Sequence, residues 1–210
     1  MFSTENLWLF FVASLLLNLT PGNDMIYVAS RSLSQGSRAG IISACGIFIG
    51  CLVHILAAVL GLSFIIAKSA FVFGIIKFLG AAYLIYLGVK AIMSRTSANK
   101  EIENMPRVNK IKLLRQGIIT NVLNPKVAIF FLSFLPQFVD PASPSFKLQL
   151  FVLGIWFDLQ GTLILIGVAW ILGKTTQFFK RNPTFWNVQQ KITGLVLLGL
   201  GIKIALTTKK

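Results

Sequence analysis

Residues Asn18 to Asp24 read Asn-Leu-Thr-Pro-Gly-Asn-Asp and set a helix breaker, a hinge residue and a carboxylate inside a greasy stretch. Leu7 to Leu19 is almost wholly apolar before the interruption. Met25 to Ala29 is apolar again after it, and Arg31 is the first basic residue of the chain. Neither piece alone reaches across a bilayer. Together, Leu7 to Ser30 is 24 residues long; at about 1.5 Å per residue that slightly exceeds a hydrocarbon core of roughly 30 Å. The stretch therefore predicts one membrane span broken near its middle. Lipid cannot satisfy the backbone groups that Pro21 and Gly22 free, so these must face protein or a watery cavity.

The half-helix that starts after Gly22 would aim unpaired N–H groups and the positive end of its dipole at that cavity, which suits an anion such as a carboxylate. Thr20, Pro21, Gly22, Asn23 and Asp24 are accordingly candidate substrate or ion ligands. Asp24 is an ionisable group within the membrane, a functional candidate by default. The plainer alternative is a proline kink that only shapes packing, with Asp24 capping the second half-helix.

Composition agrees with a membrane chain. Of 210 residues, 55% are hydrophobic and only 12% charged, with a mean hydropathy of +0.78, far more apolar than a soluble domain of this size requires. The net charge of +14 would suggest nucleic acid in a soluble protein. Here the basic residues sit in short loops between apolar spans, so the excess reads as a topology signal and as contact with anionic lipid; no nucleic-acid partner is expected. The first residues carry Glu5 and lack a basic leader and a small-residue cleavage site, so the first span is expected to be retained. Cys45 and Cys51 are six residues apart in one span, on different sides of a helix, which predicts neither a disulfide nor a metal pair.

Further spans are expected at about Gly40–Ile66, Phe71–Met93, Ile118–Val139, Leu148–Leu172 and Ile192–Leu206. The second carries Gly46 and Gly50 at a spacing that lets a neighbouring helix come close, then His54 one turn further on. The third carries Tyr83 and Tyr86, read mainly as packing residues. The fourth is broken like the first, at Asn121 and Asn124-Pro125-Lys126, with a lysine as its embedded charge. The fifth holds Asp158. A polar connector is read from Ser94 to Leu114, and a second one holding Lys174, Lys180, Arg181 and Lys191 precedes the last span. Thirteen of the 20 basic residues fall on the side of the Ser94 connector, which makes that side cytoplasmic and both termini external.

The two halves echo one another. Asn18 to Pro21 matches Asn121 to Pro125; Gly50 to His54 matches Gly154 to Asp158; Leu87-Gly88-Val89-Lys90 matches Leu200-Gly201-Ile202-Lys203. Three spans per copy is an odd number, so the second copy enters the membrane from the opposite face. The expected fold is all-α: a single polytopic membrane domain of six transmembrane helices, built as two inverted three-helix repeats with broken first and fourth helices. The first repeat is 1–93, the cytoplasmic loop 94–114 and the second repeat 115–210. That architecture brings the two breaks together near the bilayer midplane around a shared site.

The same residues resemble the LysE/RhtB family of amino-acid exporters. Its opening signature looks like Thr20-Pro21-Gly22 followed by Ser30-Arg31-Ser32-Leu33-Ser34-Gln35-Gly36 and Arg38-Ala39-Gly40. Its later ones look like Gly46 to His54, Phe78 to Gly88, and Asn121 to Lys126 through Phe134-Leu-Pro-Gln-Phe138. The resemblance runs nearly end to end. It implies a multi-pass inner-membrane secondary transporter, not an enzyme, that exports amino acids or close derivatives such as homoserine, threonine, homoserine lactone, leucine or basic amino acids by proton antiport. The family's usual second proline is replaced here by Asn23, which restores a backbone N–H and softens the break. The expected partners are the amino acid, protons and membrane lipids, with self-association left open and no cofactor or metal.

On these grounds the substrate carboxylate is expected against the half-helix N-termini after Gly22 and Pro125, helped by Lys126, within a set that also includes Asn121 and Asn124. The substrate ammonium would face Asp24 or Asp158, and protonation of one of these carboxylates would couple proton entry to substrate exit. A structural Asp24–Lys126 ion pair is the alternative. His54 is a proton-relay candidate or else a neutral histidine bonded between helices. An exporter of another small solute or of a divalent metal ion is the runner-up, although one histidine and two non-facing cysteines supply few metal ligands. No nucleophile, base and orienter occur together as an intramembrane enzyme would need.

Overall fold

A computed structural model describes residues 4–62, 70–93, 106–140, 143–174 and 183–206, and every regular element among them is helical. Helix α1 (Thr4–Leu19) stops where Pro21 cannot donate, and α2 (Asn23–Gln35) restarts after Gly22 at an angle of 48°. Gly36 then reverses the chain into α3 (Ser37–Ala57). Its φ of +87° is the only positive φ among the described residues, in a region that glycine enters without a Cβ penalty. A wide π turn, Ala58–Leu62, extends α3, and α4 runs over Ala70–Met93.

The second half repeats the plan. Helix α5 (Lys110–Val122) is capped by Asn109, whose Oδ1 accepts from Lys112 N at 2.9 Å. After Asn124, α6 starts with Pro125 in its first turn, the position where a missing N–H costs nothing, at 45° to α5. It covers Pro125–Ile129 and continues through a π turn, Phe130–Phe134, and a 3-10 turn, Leu135–Phe138. Helices α7 (Phe146–Lys174) and α8 (Pro183–Leu206) complete the bundle.

Hydropathy places the membrane, not the helix ends, and two elements differ from expectation for that reason. Lys110 to Leu114, read as connector, already forms the first turns of α5. Lys191, also read as connector, lies inside α8, which starts at Pro183. The rest of the Ser94 connector up to Met105, and Lys180 and Arg181 of the other, lie outside the described residues. By length and apolar character, Ser37–Gly61 and Phe146–Lys174 can each cross a membrane, and so can each bent pair taken as one span. Phe78–Met93 and Gly194–Leu206 are shorter apolar stretches.

Close contacts fix the helix directions. Gly46 of α3 meets Leu114 O and the Gly117 Cα of α5, and Gly50 meets Ile118 O and Asn121 further along both chains, so α3 and α5 run parallel. Helices α1 and α7 also run parallel: the Phe11 and Trp156 rings lie 4.5 Å apart, and Asn18 reaches Phe157 and Gln160. By contrast α3 and α7 are antiparallel, Gly173 meeting Ser37 at one end and Gly154 meeting Ile55 at the other. So are α4 and α8, where Gly88 meets Gly194 O and Gly201 meets Ala81 O. Large apolar side chains such as Trp8, Leu123 and Leu163 point outward, a surface that suits lipid.

One end of the bundle is tied by polar bonds. Arg31 at the end of α2 donates to Gln35 Oε1, Pro106 O and Gln116 Oε1, while Gln35 exchanges two bonds with the Val108 backbone and the Tyr27 hydroxyl donates to Leu113 O. The inner core at the level of the breaks is aromatic, with Phe10, Phe130, Phe131, Phe134 and Phe157 all buried.

Candidate functional site

The two breaks face each other across a cavity of about 40 Å³. Its walls come from α1 (Asn18) and the break after it (Thr20), α2 (Asp24, Met25), α3 (Ile47, Cys51), α5 (Asn121), α6 (Lys126, Val127) and α7 (Phe157, Asp158, Gly161, Thr162, Leu165). Such a volume holds about three or four water molecules, at roughly 10–15 Å³ each, and is far smaller than the roughly 300 Å³ at which small-molecule sites begin. Admitting an amino acid therefore requires the helices around the breaks to separate.

Local sequence explains how each polar group reaches the cavity. Pro21 cannot give the Leu17 carbonyl its i+4 donor, leaving Leu17 O only a bond from Thr20 N at 3.2 Å. Lys126 Nζ takes two of them, donating to Leu17 O at 3.1 Å and Thr20 O at 2.8 Å. Gly22 is the N-cap of α2 and offers it no side-chain bond. Asp24 therefore sits in the first turn instead of capping the helix, where its charge favours the dipole. Asn121 Nδ2 donates to Asp24 Oδ2 at 2.8 Å, and Asn124 Oδ1 caps α6 by accepting from Lys126 N at 3.0 Å. The polar bonds of Asp24 and Lys126 go to these separate partners, so neither joins the two residues to each other.

Several buried polar atoms are left over. Asp24 Oδ1, Asn121 Oδ1, Asp158 Oδ2 and Thr162 Oγ1 make no well-formed hydrogen bond, and all four belong to residues lining the cavity; Asn124, whose Nδ2 is a fifth such atom, stands beside Asp24, and Cys51 and Thr162 stand beside Asp158. Asp158 is 4% exposed. Unpaired buried groups of this kind cost about 1–3 kcal/mol each, and water or a polar ligand in the cavity would relieve that cost. Asn18, Thr20 and Lys126 add further polar groups, and Met25, Ile47, Val127, Leu165 and Phe157 form the apolar part of the wall, Phe157 stacked on Phe130 at 4.0 Å between ring centroids.

Of the residues singled out from sequence, Thr20, Asp24, Asn121, Lys126 and Asp158 line the cavity. Pro21, Gly22, Asn23, Asn124 and Pro125 shape the breaks around it without forming its wall. His54 also stands behind the wall. Its Nε2 lies 2.9 Å from Asn121 O, and its ring stacks on Phe131, so His54 and Asp24 are joined through the backbone and side chain of one asparagine.

Asn18, read as part of the break but not as a ligand, and Thr162, not singled out, also carry polar atoms into the site. Asn18 Nδ2 donates to Phe157 O at 3.1 Å and Gln160 Oε1 at 3.2 Å. Thr162 was legible from helical spacing, since Asp158, Gly161, Thr162 and Leu165 follow the i, i+3, i+4, i+7 pattern of one helix face. Cys51, read as packing, stands beside Asp158, and Cys45 is exposed on another side of α3. Tyr83 and Tyr86 are not among the lining residues.

Asn121→Ala keeps the Cβ that lies against Gly50 and the backbone carbonyl that His54 uses, but strips Asp24 of its donor. We expect a loss of about 1–3 kcal/mol in stability, read as a lower melting temperature in detergent, with Asn121→Ser recovering part of it.

The family model described as LysE type translocator matches residues 15–208. An uncharacterized membrane protein of Bacillus subtilis strain 168, YrhP, is 34% identical over 197 residues, which cover 90% of this chain and 93% of that protein. The leucine efflux protein of Salmonella typhimurium strain LT2 is 26% identical over 200 residues, covering 95% and 94%. An uncharacterized membrane protein of Vibrio cholerae serotype O1 is 28% identical over 206 residues, covering 95% and 97%. No solved structure matches.

Proposed function

The chain belongs to the LysE type translocator family, and from that membership we propose that it exports neutral amino acids with aliphatic side chains, leucine among them, in exchange for protons. It is a multi-pass protein of the cell membrane. One observation carries the assignment: Asp24, Asn121, Asp158 and Thr162 each bring a buried polar atom without a well-formed hydrogen bond to a cavity that Met25, Ile47 and Leu165 line with apolar surface. A zwitterion with an aliphatic tail is complementary to both parts. Its ammonium meets Asp24, with Asp158 as the second carboxylate of the cavity. Its carboxylate meets the N-terminus of α2, which no side chain caps, and its side chain lies among Met25, Ile47 and Leu165. A basic amino acid would bring a second cation against that apolar wall.

Leucine efflux in the Salmonella relative supports both the cargo class and the direction. The antiparallel pairing of α3 with α7 and of α4 with α8 supports two inverted halves that rock around the shared site. Among the described residues, no three His, Cys, Asp or Glu side chains gather as a metal cage would need.

The test is efflux of preloaded radiolabelled amino acids from cells expressing the protein, against cells with an empty vector. Leucine and similar substrates should leave faster from expressing cells, and an uncoupler should remove the difference. Equal efflux across an aliphatic, polar and basic panel would overturn the assignment.

A further inference from the structure

The break between α1 and α2 is held from the other half of the chain. Lys126 of α6 places its ammonium on the Leu17 and Thr20 carbonyls at the end of α1, the first of which also accepts from Thr20 N at 3.2 Å. An ammonium has three donors, so one N–H remains, and Lys126 is also part of the cavity wall. Gly22 makes room for this seat, since a Cβ there would lie 3.3 Å from Lys126 Nζ. The charged group on the facing wall is Asp24 of α2. Asp158 of α7 and the Cys51 thiol of α3 stand on the other walls, and His54 of α3 lies behind Asn121.

Helix-end carbonyls next to a carboxylate oxygen without a donor are what the α-ammonium of an amino acid requires. Lys126 carries the same chemical group in that place. Two ammonium ions about 4 Å apart repel by roughly 4 kcal/mol in a protein-like dielectric, so the seat holds one at a time.

We infer that Lys126 is a tethered competitor of the substrate and carries the coupling proton. This deepens the exporter assignment and rests on it. When the cavity is open to the cytoplasm, the Lys126 ammonium releases a proton there and withdraws as a neutral amine, and the substrate ammonium takes over the Leu17 and Thr20 carbonyls. When it is open to the outside, the substrate leaves and the amine takes up a proton from that side. Only an N–H bond breaks and forms, and each turn moves one proton inward for one amino acid outward. Mutual exclusion at one seat is itself antiport, and Asp24 and Asp158 stay substrate ligands throughout. A lysine can make this exchange, whereas a guanidinium does not lose its proton.

The test uses wild type, Lys126→Gln and Lys126→Met purified into liposomes preloaded with radiolabelled leucine. One arm measures exchange against external unlabelled leucine at equal pH; another measures efflux under an inward proton gradient. We expect the gradient to speed wild-type efflux at least about fivefold, the low end for coupled sites, and to have no effect on either variant, while both keep measurable exchange. Lys126→Gln retains an N–H for the carbonyls and serves if Lys126→Met does not assemble.

A gradient response surviving in the variants overturns the inference. So does loss of exchange together with coupling in a variant that melts like wild type, since Lys126 is then a fixed ligand. A substrate-free arm follows the melting temperature against pH, where wild type should show a step that Lys126→Met lacks. If wild type moves no amino acid, the exporter assignment fails, and the Lys126 seat is judged on this arm alone: a step shared by wild type and Lys126→Met overturns it.

Discussion

Replacing Asp24 by Asn is expected to abolish leucine efflux while the protein still accumulates in the membrane. Asp24 has one oxygen held by Asn121 and the other unpartnered, so the carboxylate is positioned and half free. Removing one partner of a buried charge pair costs about 2–5 kcal/mol, and every 1.4 kcal/mol is about tenfold in binding. Efflux at limiting substrate should fall by roughly 30-fold or more. Asn keeps the shape of Asp and one acceptor, so the melting temperature should change little. Asp158→Asn should act in the same direction, because Asp158 brings a second buried, partly unsatisfied carboxylate to the same cavity. Undiminished efflux from both variants, measured with radiolabelled leucine in preloaded cells, would remove the carboxylates from the site.

The second large effect concerns the frame that holds the site. Gly46→Ala should destabilise the protein by about 2–3 kcal/mol, in the range of overpacked cores. A Cβ at Gly46 would run into Leu114 O and sit 3.1 Å from the Gly117 Cα, and one at Gly117 would lie 2.5 Å from Ser43 O. These neighbours are backbone atoms and cannot swing aside. Separating α3 from α5 would also pull Gly50 from Asn121 and with it the donor to Asp24. Gly167→Ala in α7 is the control: nothing lies within 4 Å of its added Cβ, and helix propensity alone favours alanine by about 1 kcal/mol. Melting in detergent should therefore drop for Gly46→Ala and hold or rise for Gly167→Ala. Equal behaviour of the two would mean that the α3–α5 crossing is not tight.

Much of this was written in the chain order. Two prolines inside apolar stretches dictate two breaks, because proline removes a donor that lipid cannot replace, and α1–α2 and α5–α6 bend there by 48° and 45°. Apolar length marked four stretches able to cross a membrane, each bent pair taken as one, and glycines at four-residue spacing marked the face where α5 crosses α3. Ionisable residues in such stretches are costly enough to be candidates by themselves, and Asp24, Lys126 and Asp158 do meet at one cavity. All of these are local properties, each set by a residue and its neighbours along one helix.

What the sequence could not supply were the partners across helices. Lys126 reads as the natural counter-ion of Asp24, yet its ammonium bonds Leu17 O and Thr20 O, carbonyls at the end of α1 that Pro21 cannot serve. Spacing paired Gly50 with Gly154 and so His54 with Asp158. In the folded chain Gly50 meets Asn121, while the glycine that meets Asn18 is Gly161. Asn18 and Thr162 joined the site because α1 lies parallel to α7 at Gly161, a crossing that no single helix encodes. Periodicity along a chain specifies which face of a helix is special; only the packing of one helix on another decides what that face meets.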